Sequence, residues 1–271
     1  MLAIADPRWT EAEWLDRFAR GGPVRPPVAV VAAHPDDETV SFGAGLRRLE
    51  NLFLIHVTDG SPHDLSDARR AGFETRIAYA EARRAELEQA LRALEVEPRR
   101  RLAYLVPDQE ASGRMADLAR RLAVDLACVD AVISHAFEGG HPDHDACAFA
   151  VQAACALIAR RGRTPPVRLE FTGCHLADGD LRAGVFRSRP DAPEIALALS
   201  DEERAAKRAA LERYVSQADT LKTLGAEGER LRLAPDYDFA AGPGEALHER
   251  RGRKPLWREQ AVAALRELGL R

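Results

Sequence analysis

A chain of 271 residues, 46% of them apolar, is long enough for one large α/β domain or two small ones and can bury a substantial core. Its net charge of −4 is spread along the chain, and no basic cluster suggests a nucleic-acid surface. No apolar run approaches the length that spans a bilayer, and an N-terminus carrying Asp6, Glu11 and Glu13 is not a secretion signal, so the default expectation is a soluble cytoplasmic protein. Lys207, Lys222 and Lys254 are the only lysines, a bias toward arginine that reads as genome composition. Cys128, Cys147, Cys155 and Cys174 form no Cys-x-x-Cys pair and are expected to be reduced core thiols.

Thr10-Glu11-Ala12-Glu13 is a capping-box pattern and predicts a short helix to about Arg20, ended by Gly21-Gly22-Pro23. The apolar run Val28–Ala32 predicts a first strand, followed by the polar turn His34-Pro35-Asp36-Asp37-Glu38 and a helix over 38–50. Strands are predicted at Leu52–Val57, Leu102–Val106, Ala131–Ser134 and Val167–Thr172, with a sixth at Ile195–Leu199. Helices are predicted over 75–94, with Ile77, Ala80, Ala85, Leu87, Leu91 and Leu94 on its periodic face, over 115–128 and over 146–159. A second capping box, Ser200-Asp201-Glu202-Glu203, opens a helix reaching about Leu221, and a last short helix covers 256–268. Residues 61–73 are polar and irregular and suggest a mobile loop. The alternation predicts a mostly parallel sheet with helices on both faces, an α/β fold in one domain spanning 1–271. Residues 1–25 and 223–271 form its variable ends.

Two polar clusters follow predicted strands: His34 to Glu38, and His135-Ala136-Phe137-Glu138-Gly139-Gly140-His141-Pro142-Asp143-His144-Asp145. Strand ends of one parallel sheet share an edge, so the clusters are expected in one cleft. His34, Asp37 and His144 supply two imidazoles and a carboxylate, three ligands that leave a position open for water, as in a catalytic zinc site. Asp36, beside Asp37 but unable to share its ligand direction, is placed to take a proton from water. His141, three residues before His144, is placed to stabilise an oxyanion or protonate a leaving group. The bland alternatives are that Asp36 or Asp37 caps a helix, that His144 is a capping residue, or that His141 and not His144 is the ligand. Cys147 reads as a buried thiol. Asp108 and Glu138 are expected to wall the cleft with the 61–73 loop and to accept hydrogen bonds from substrate hydroxyls, with ordinary loop solvation as the alternative.

Ala33-His34-Pro35-Asp36-Asp37-Glu38 together with His141-Pro142-Asp143-His144 resembles the LmbE-like (PIG-L) deacetylases, zinc enzymes that remove acetyl groups from N-acetylated amino sugars. The resemblance covers roughly residues 28–220 and includes Thr58-Asp59-Gly60, Arg83 with Glu86, Pro107-Asp108, Glu138-Gly139-Gly140 and Ser216-Gln217. It implies Zn²⁺ on His34, Asp37 and His144, Asp36 as general base, His141 at the oxyanion or leaving amine, and a three-layer α/β/α Rossmann-like fold. It also implies a small N-acetylated sugar as partner, with homo-oligomerisation left open. Some members carry a tyrosine two residues before the first His of the second motif; this chain has Gly139 there.

Three other readings compete. Two His and a carboxylate also make the facial triad of Fe(II) oxygenases, though the alternating elements do not suit a β-sandwich. A non-catalytic nucleotide- or sugar-binding domain would want a Gly-rich first turn, which His34-Pro35-Asp36-Asp37 is not. A metal-dependent esterase or amidase on a non-sugar substrate would use the same groups.

Overall fold

The computed structural model describes residues 8–222, 228–244, 246–247 and 257–270. The continuous apolar runs become the inner strands of one sheet, as strands covered on both faces require. β1 (Val28–Ala32) is buried throughout and pairs in parallel with β2 (Leu52–Pro62) on one side and β4 (Ala131–His135) on the other. β3 (Arg100–Asp108) lies parallel to β2, and β5 (Val167–Phe171) parallel to β4. After β5 come a separate two-stranded ribbon, β6 (Cys174–Ala177) with β7 (Asp180–Ala183), and two short strands, β8 (Glu194–Ala196) and β9 (Arg230–Leu233). β9 and β8 extend the main sheet antiparallel, giving the order β3-β2-β1-β4-β5-β9-β8.

The strand period of two divides β1 between two cores. Val28 and Val30 pack under α1 (Glu11–Arg20), α2 (Asp37–Leu46), α4 (Arg76–Ala93) and α7 (Asp201–Leu211). Ala29 and Val31 pack under α5 (Met115–Asp125), α6 (Pro142–Arg160) and α9 (Trp257–Leu268). The result is the expected three-layer α/β/α arrangement with a mostly parallel sheet. Short helices α3 (Ser66–Arg70) and α8 (Ala218–Leu221) stand outside these layers. Both capping boxes form: Thr10 and Ser200 each accept from the backbone N–H three residues on and are bonded in return. No helix among the described residues is long and apolar enough to cross a membrane.

The helix expected over 38–50 stops at Leu46 and is broken at Phe42 (φ −148°). Past the break, the amides of Ala44 and Gly45 donate to Glu229 at 2.7 and 2.8 Å, and Glu229 pairs with Lys207 at 2.9 Å, both side chains fully buried. The helix expected through Leu221 ends at Leu211, and Tyr214 turns inward to reach Glu38 at 2.9 Å. The strand expected over Ile195–Leu199 covers Glu194–Ala196 instead. The 61–73 segment begins as the end of β2 and contains α3. Core burial of the thiols holds for Cys147 and Cys155, whereas Cys128 is exposed and Cys174 half-buried. Residue 256, Gly225 and Lys254 lie outside the described residues.

Candidate active site

Strand order reverses at β1, with β2 and β3 to one side and β4 and β5 to the other. The crevice above the carboxyl ends at such a point is where α/β sheets bind ligands. Both polar clusters open onto it. The chain leaves β1 on a tight turn, with the amides of Asp36 and Asp37 donating to the His34 carbonyl at 3.0 and 3.3 Å, and α2 starts at Asp37. Beyond β4, His141 is the N-cap of α6, its Nδ1 accepting from the Asp143 amide at 3.2 Å.

The Asp37 carboxylate lies between two imidazoles: Oδ2 is 3.0 Å from His34 Nδ1 and Oδ1 is 3.2 Å from His144 Nε2. The other nitrogen of His34, Nε2, faces Asp108 Oδ1 at 3.1 Å and Asp143 Oδ2 at 3.3 Å. Donor atoms lie within 4.8 Å of one another in three overlapping sets: His34, His141 and His144; His34, Asp108, His141 and Asp143; and Asp37, His135 and His144. Hydrogen bonds sort these sets, because an imidazole nitrogen whose lone pair already accepts a hydrogen bond cannot also bind a cation.

Asp143 is fully buried, and its carboxylate is clamped by the amides of Gln109 at 2.6 Å and Ala111 at 3.0 Å. Toward these acceptors His34 must donate through Nε2, which leaves Nδ1 to face Asp37. In His141 the accepting atom is Nδ1, so the proton sits on Nε2, 3.9 Å from Asp108 Oδ1. In His135 it is Nε2 that accepts, from the Ala33 amide at 2.9 Å. His135 instead stacks on His144, centroids 4.0 Å apart and planes 15° apart, and fixes that ring. His34, Asp37 and His144 do not together form one of these sets; the Asp37 carboxylate instead stands between the other two, Oδ2 against His34 Nδ1 and Oδ1 against His144 Nε2, and N and O donors of this kind suit a divalent cation such as zinc.

Asp36 pairs with Arg83, 2.8 Å distant. Burial pushes its carboxyl up to about 7, although the Arg83 guanidinium draws it down. Arg83 itself is buried; it donates to the carbonyls of Gly60 at 2.7 Å and Pro35 at 3.3 Å. Gly60 has φ +66°, and a Cβ there would stand 2.7 Å from the guanidinium, so only glycine admits the arginine. The periodic face expected for α4 holds at Leu87, Leu91 and Leu94 and fails at its start, where Ile77 is 66% exposed while Tyr79 and Arg83 point inward. Below Asp36, Glu38 accepts from the Asp36 amide at 3.2 Å and from Tyr214, and pairs with His56 at 2.9 Å.

Of the two expected cleft-wall acids, Asp108 ends β3 beside His34. Burial would raise its carboxyl, but the facing His34 ring, which donates to it, outweighs that and holds it well below the usual range. Glu138 lies in a buried ion-pair network, accepting from the Arg187 amide at 2.6 Å and pairing with Arg232 at 3.2 Å. His135 and Asp143 carry structural weight at the site that no motif role gave them. The signal for His135 was its position as the last residue of a strand that feeds a His/Asp cluster.

Fold and site together define an α/β domain with a candidate metal centre at the switch point of its sheet. Residues 29–155 match the family model described as PIG-L, GlcNAc-PI de-N-acetylase. Among solved structures, a deacetylase of the teicoplanin biosynthesis pathway superposes with a TM-score of 0.56 at 20% identity, covering 79% of this chain and 100% of that one. The A40926 pseudoaglycone deacetylase gives 0.53 at 19% identity over 78% of this chain and 97% of that one. A conserved protein from Thermus thermophilus gives 0.50 at 20% identity over 78% and 95%. At these identities the likeness is one of fold. A comparison with curated proteins gave no match.

Proposed function

We propose that the protein is a zinc-dependent N-deacetylase that removes acetyl from an N-acetylated amino sugar, with water as the nucleophile. The observation that carries this reading is the division of labour among the histidines. His34 Nδ1, Asp37 and His144 would hold the cation, while His141 keeps its proton on Nε2 and Asp36 keeps its carboxylate outside the ligand set. When bound there, the cation supplies Lewis acidity to the amide carbonyl and lowers the pKa of the attacking water. Asp36 accepts a proton from that water as its oxygen bonds to the acyl carbon. The His141 Nε2–H donates a hydrogen bond to the developing oxyanion. The proton held by Asp36 then passes to the amine nitrogen as the C–N bond breaks, and the products are the amine and acetic acid, with Asp36 ionised again. The family match and two deacetylases that share the fold support the same reaction class.

The test is acetate release from a panel of N-acetylated sugars, after stripping with a chelator and after returning zinc, Fe(II) or Mg²⁺. Zinc should restore release from at least one sugar. Hydrolysis of activated acetyl esters with no release from any acetamido sugar would overturn the amide assignment, and recovery with Fe(II) alone would overturn the metal.

A further inference from the structure

The strand ends give the cleft a direction. In sheet order they are Asp108 at β3, Gly60 in β2, His34 after β1, His135 at β4 and Thr172 after β5. Asp36 pairs with Arg83, which reaches the Gly60 carbonyl on the β2 side. If the proton held by Asp36 goes to the leaving amine, the amine and its sugar lie over β2 and β3. The acyl carbon chain is bonded to the opposite side of the carbonyl and must run the other way, over β4 and β5. A cleft is present there. It is bordered by Asp37 and His144 and lined by Val40, Ser41, Thr172, Gly173, Cys174 and Gly184, and Asp36, Asp108 and His141 do not line it. Its walls are small or apolar, and among the described residues that line it no side chain beyond Asp37 and His144 is charged. Adjacent strands are about 4.8 Å apart, so β5 lies roughly 10 Å from β1, a reach of several carbons past a carbonyl.

We propose, resting on the deacylation reading above, that this cleft receives the acyl group of the substrate and accepts short linear acyl chains longer than acetyl, with Gly173 setting its width. Gly173 has no left-handed backbone, and a Cβ there would meet His144 Nδ1 at 3.6 Å, an ordinary contact. A side chain at 173 therefore enters the cleft without straining the main chain. The Gly184 amide donates to the Gly173 carbonyl at 3.0 Å and ties this wall to the strand that follows the ribbon's turn. By the ribbon register, Leu181 pairs with Leu176 on the same face as Cys174 and Ala183, and Leu181 is half-exposed, which continues an apolar strip outward.

Two measurements test this. The first needs no turnover: zinc-loaded protein is titrated calorimetrically with acetate, propanoate and butanoate. Each buried methylene should tighten binding by about fourfold. Gly173→Val should remove that gain, and Gly173→Ala, a milder change that keeps the protein folded, should reduce it. The second is the ratio of kcat/KM on an N-butanoyl over an N-acetyl amino sugar, expected to fall at least tenfold from wild type to Gly173→Val. Equal binding of acetate and butanoate by the wild type, or an undiminished methylene gain in Gly173→Val, overturns the assignment. Loss of all amide hydrolysis with the carboxylate series intact would strike the proposed activity alone.

Discussion

Replacing Arg83 by methionine removes the one guanidinium that lets Asp36 ionise inside the protein. Asp36 and Arg83 are 6% and 3% exposed and stand 2.8 Å apart. Taking away one partner of a buried pair costs about 3–5 kcal/mol when the other stays charged. Asp36 escapes part of that cost by holding its proton. Its carboxyl already sits at about 7 through burial, with Arg83 as the main opposing influence, so the variant carries it higher. A folded pKa above the unfolded one means stability that is complete below about pH 4 and drains away as pH rises through the folded value. In the wild type the loss ends near pH 7. In Arg83→Met it continues upward at about 1.4 kcal/mol per pH unit. The variant's deficit should therefore be small at pH 5, about 1 kcal/mol for lost hydrogen bonds, and should grow from pH 7 to 9. The assay is urea unfolding of chelator-treated protein across that range, with Asp36→Asn/Arg83→Met as the control in which the added slope vanishes. A deficit of the same size at pH 5 and pH 8 would refute the coupling.

Asp36→Asn should keep its zinc and lose roughly 10²–10⁴ in turnover, the usual worth of a general base. Asp37→Asn should chiefly lose metal, read as metal content after dialysis. Asp143→Asn should weaken zinc binding by about 10–100-fold in a chelator competition, because His34 loses an ionised acceptor at Nε2. Nitrogen NMR of the imidazoles should then show mixed tautomers at His34 and an unchanged Nε2–H at His141, whose partner is the Asp143 backbone; no change at His34 would remove Asp143 from its positioning role. Gly140→Ala would bring a Cβ to 1.8 Å from the Cys174 carbonyl oxygen, and should cost about 1–3 kcal/mol as overpacking, seen as a lower Tm.

The parallel half of the sheet was legible because β1 and the starts of β2 and β4 are written as apolar runs and β5 alternates as Val-Arg-Leu-Glu-Phe, and the two His/Asp clusters follow β1 and β4. The turn at His34 to Asp37 could be placed for the same reason. Of the antiparallel half, β8 was signalled by the run at Ile195–Leu199, whereas β9 was not legible. β9 reads Arg-Leu-Arg-Leu, and its inward Arg232 is buried by pairing with Glu170 at 2.5 Å, a compensation that no local pattern announces. Arg83 defeated the periodicity at the start of α4 in the same way: an arginine on the inner face looks like a solvent residue until Asp36 and the Gly60 carbonyl are known to receive it. Proton positions on His34, His135 and His141 were beyond the sequence, since each depends on an amide or carboxylate brought in by folding.

The contact of Glu229 with Ala44, Gly45 and Lys207 sets a lower bound on the length of chain that can fold. The family match ends at residue 155, yet the helix that begins with Asp37 is completed by a carboxylate from residue 229. A truncation at residue 222 would strand an ammonium and two amides in the interior, a cost of several kcal/mol against the marginal stability of a domain. Asp37 would then sit on a frayed helix. The smallest fragment able to present the cluster in order therefore runs at least through β9, and part of the chain that carries no motif is as necessary to the cluster as the motifs themselves.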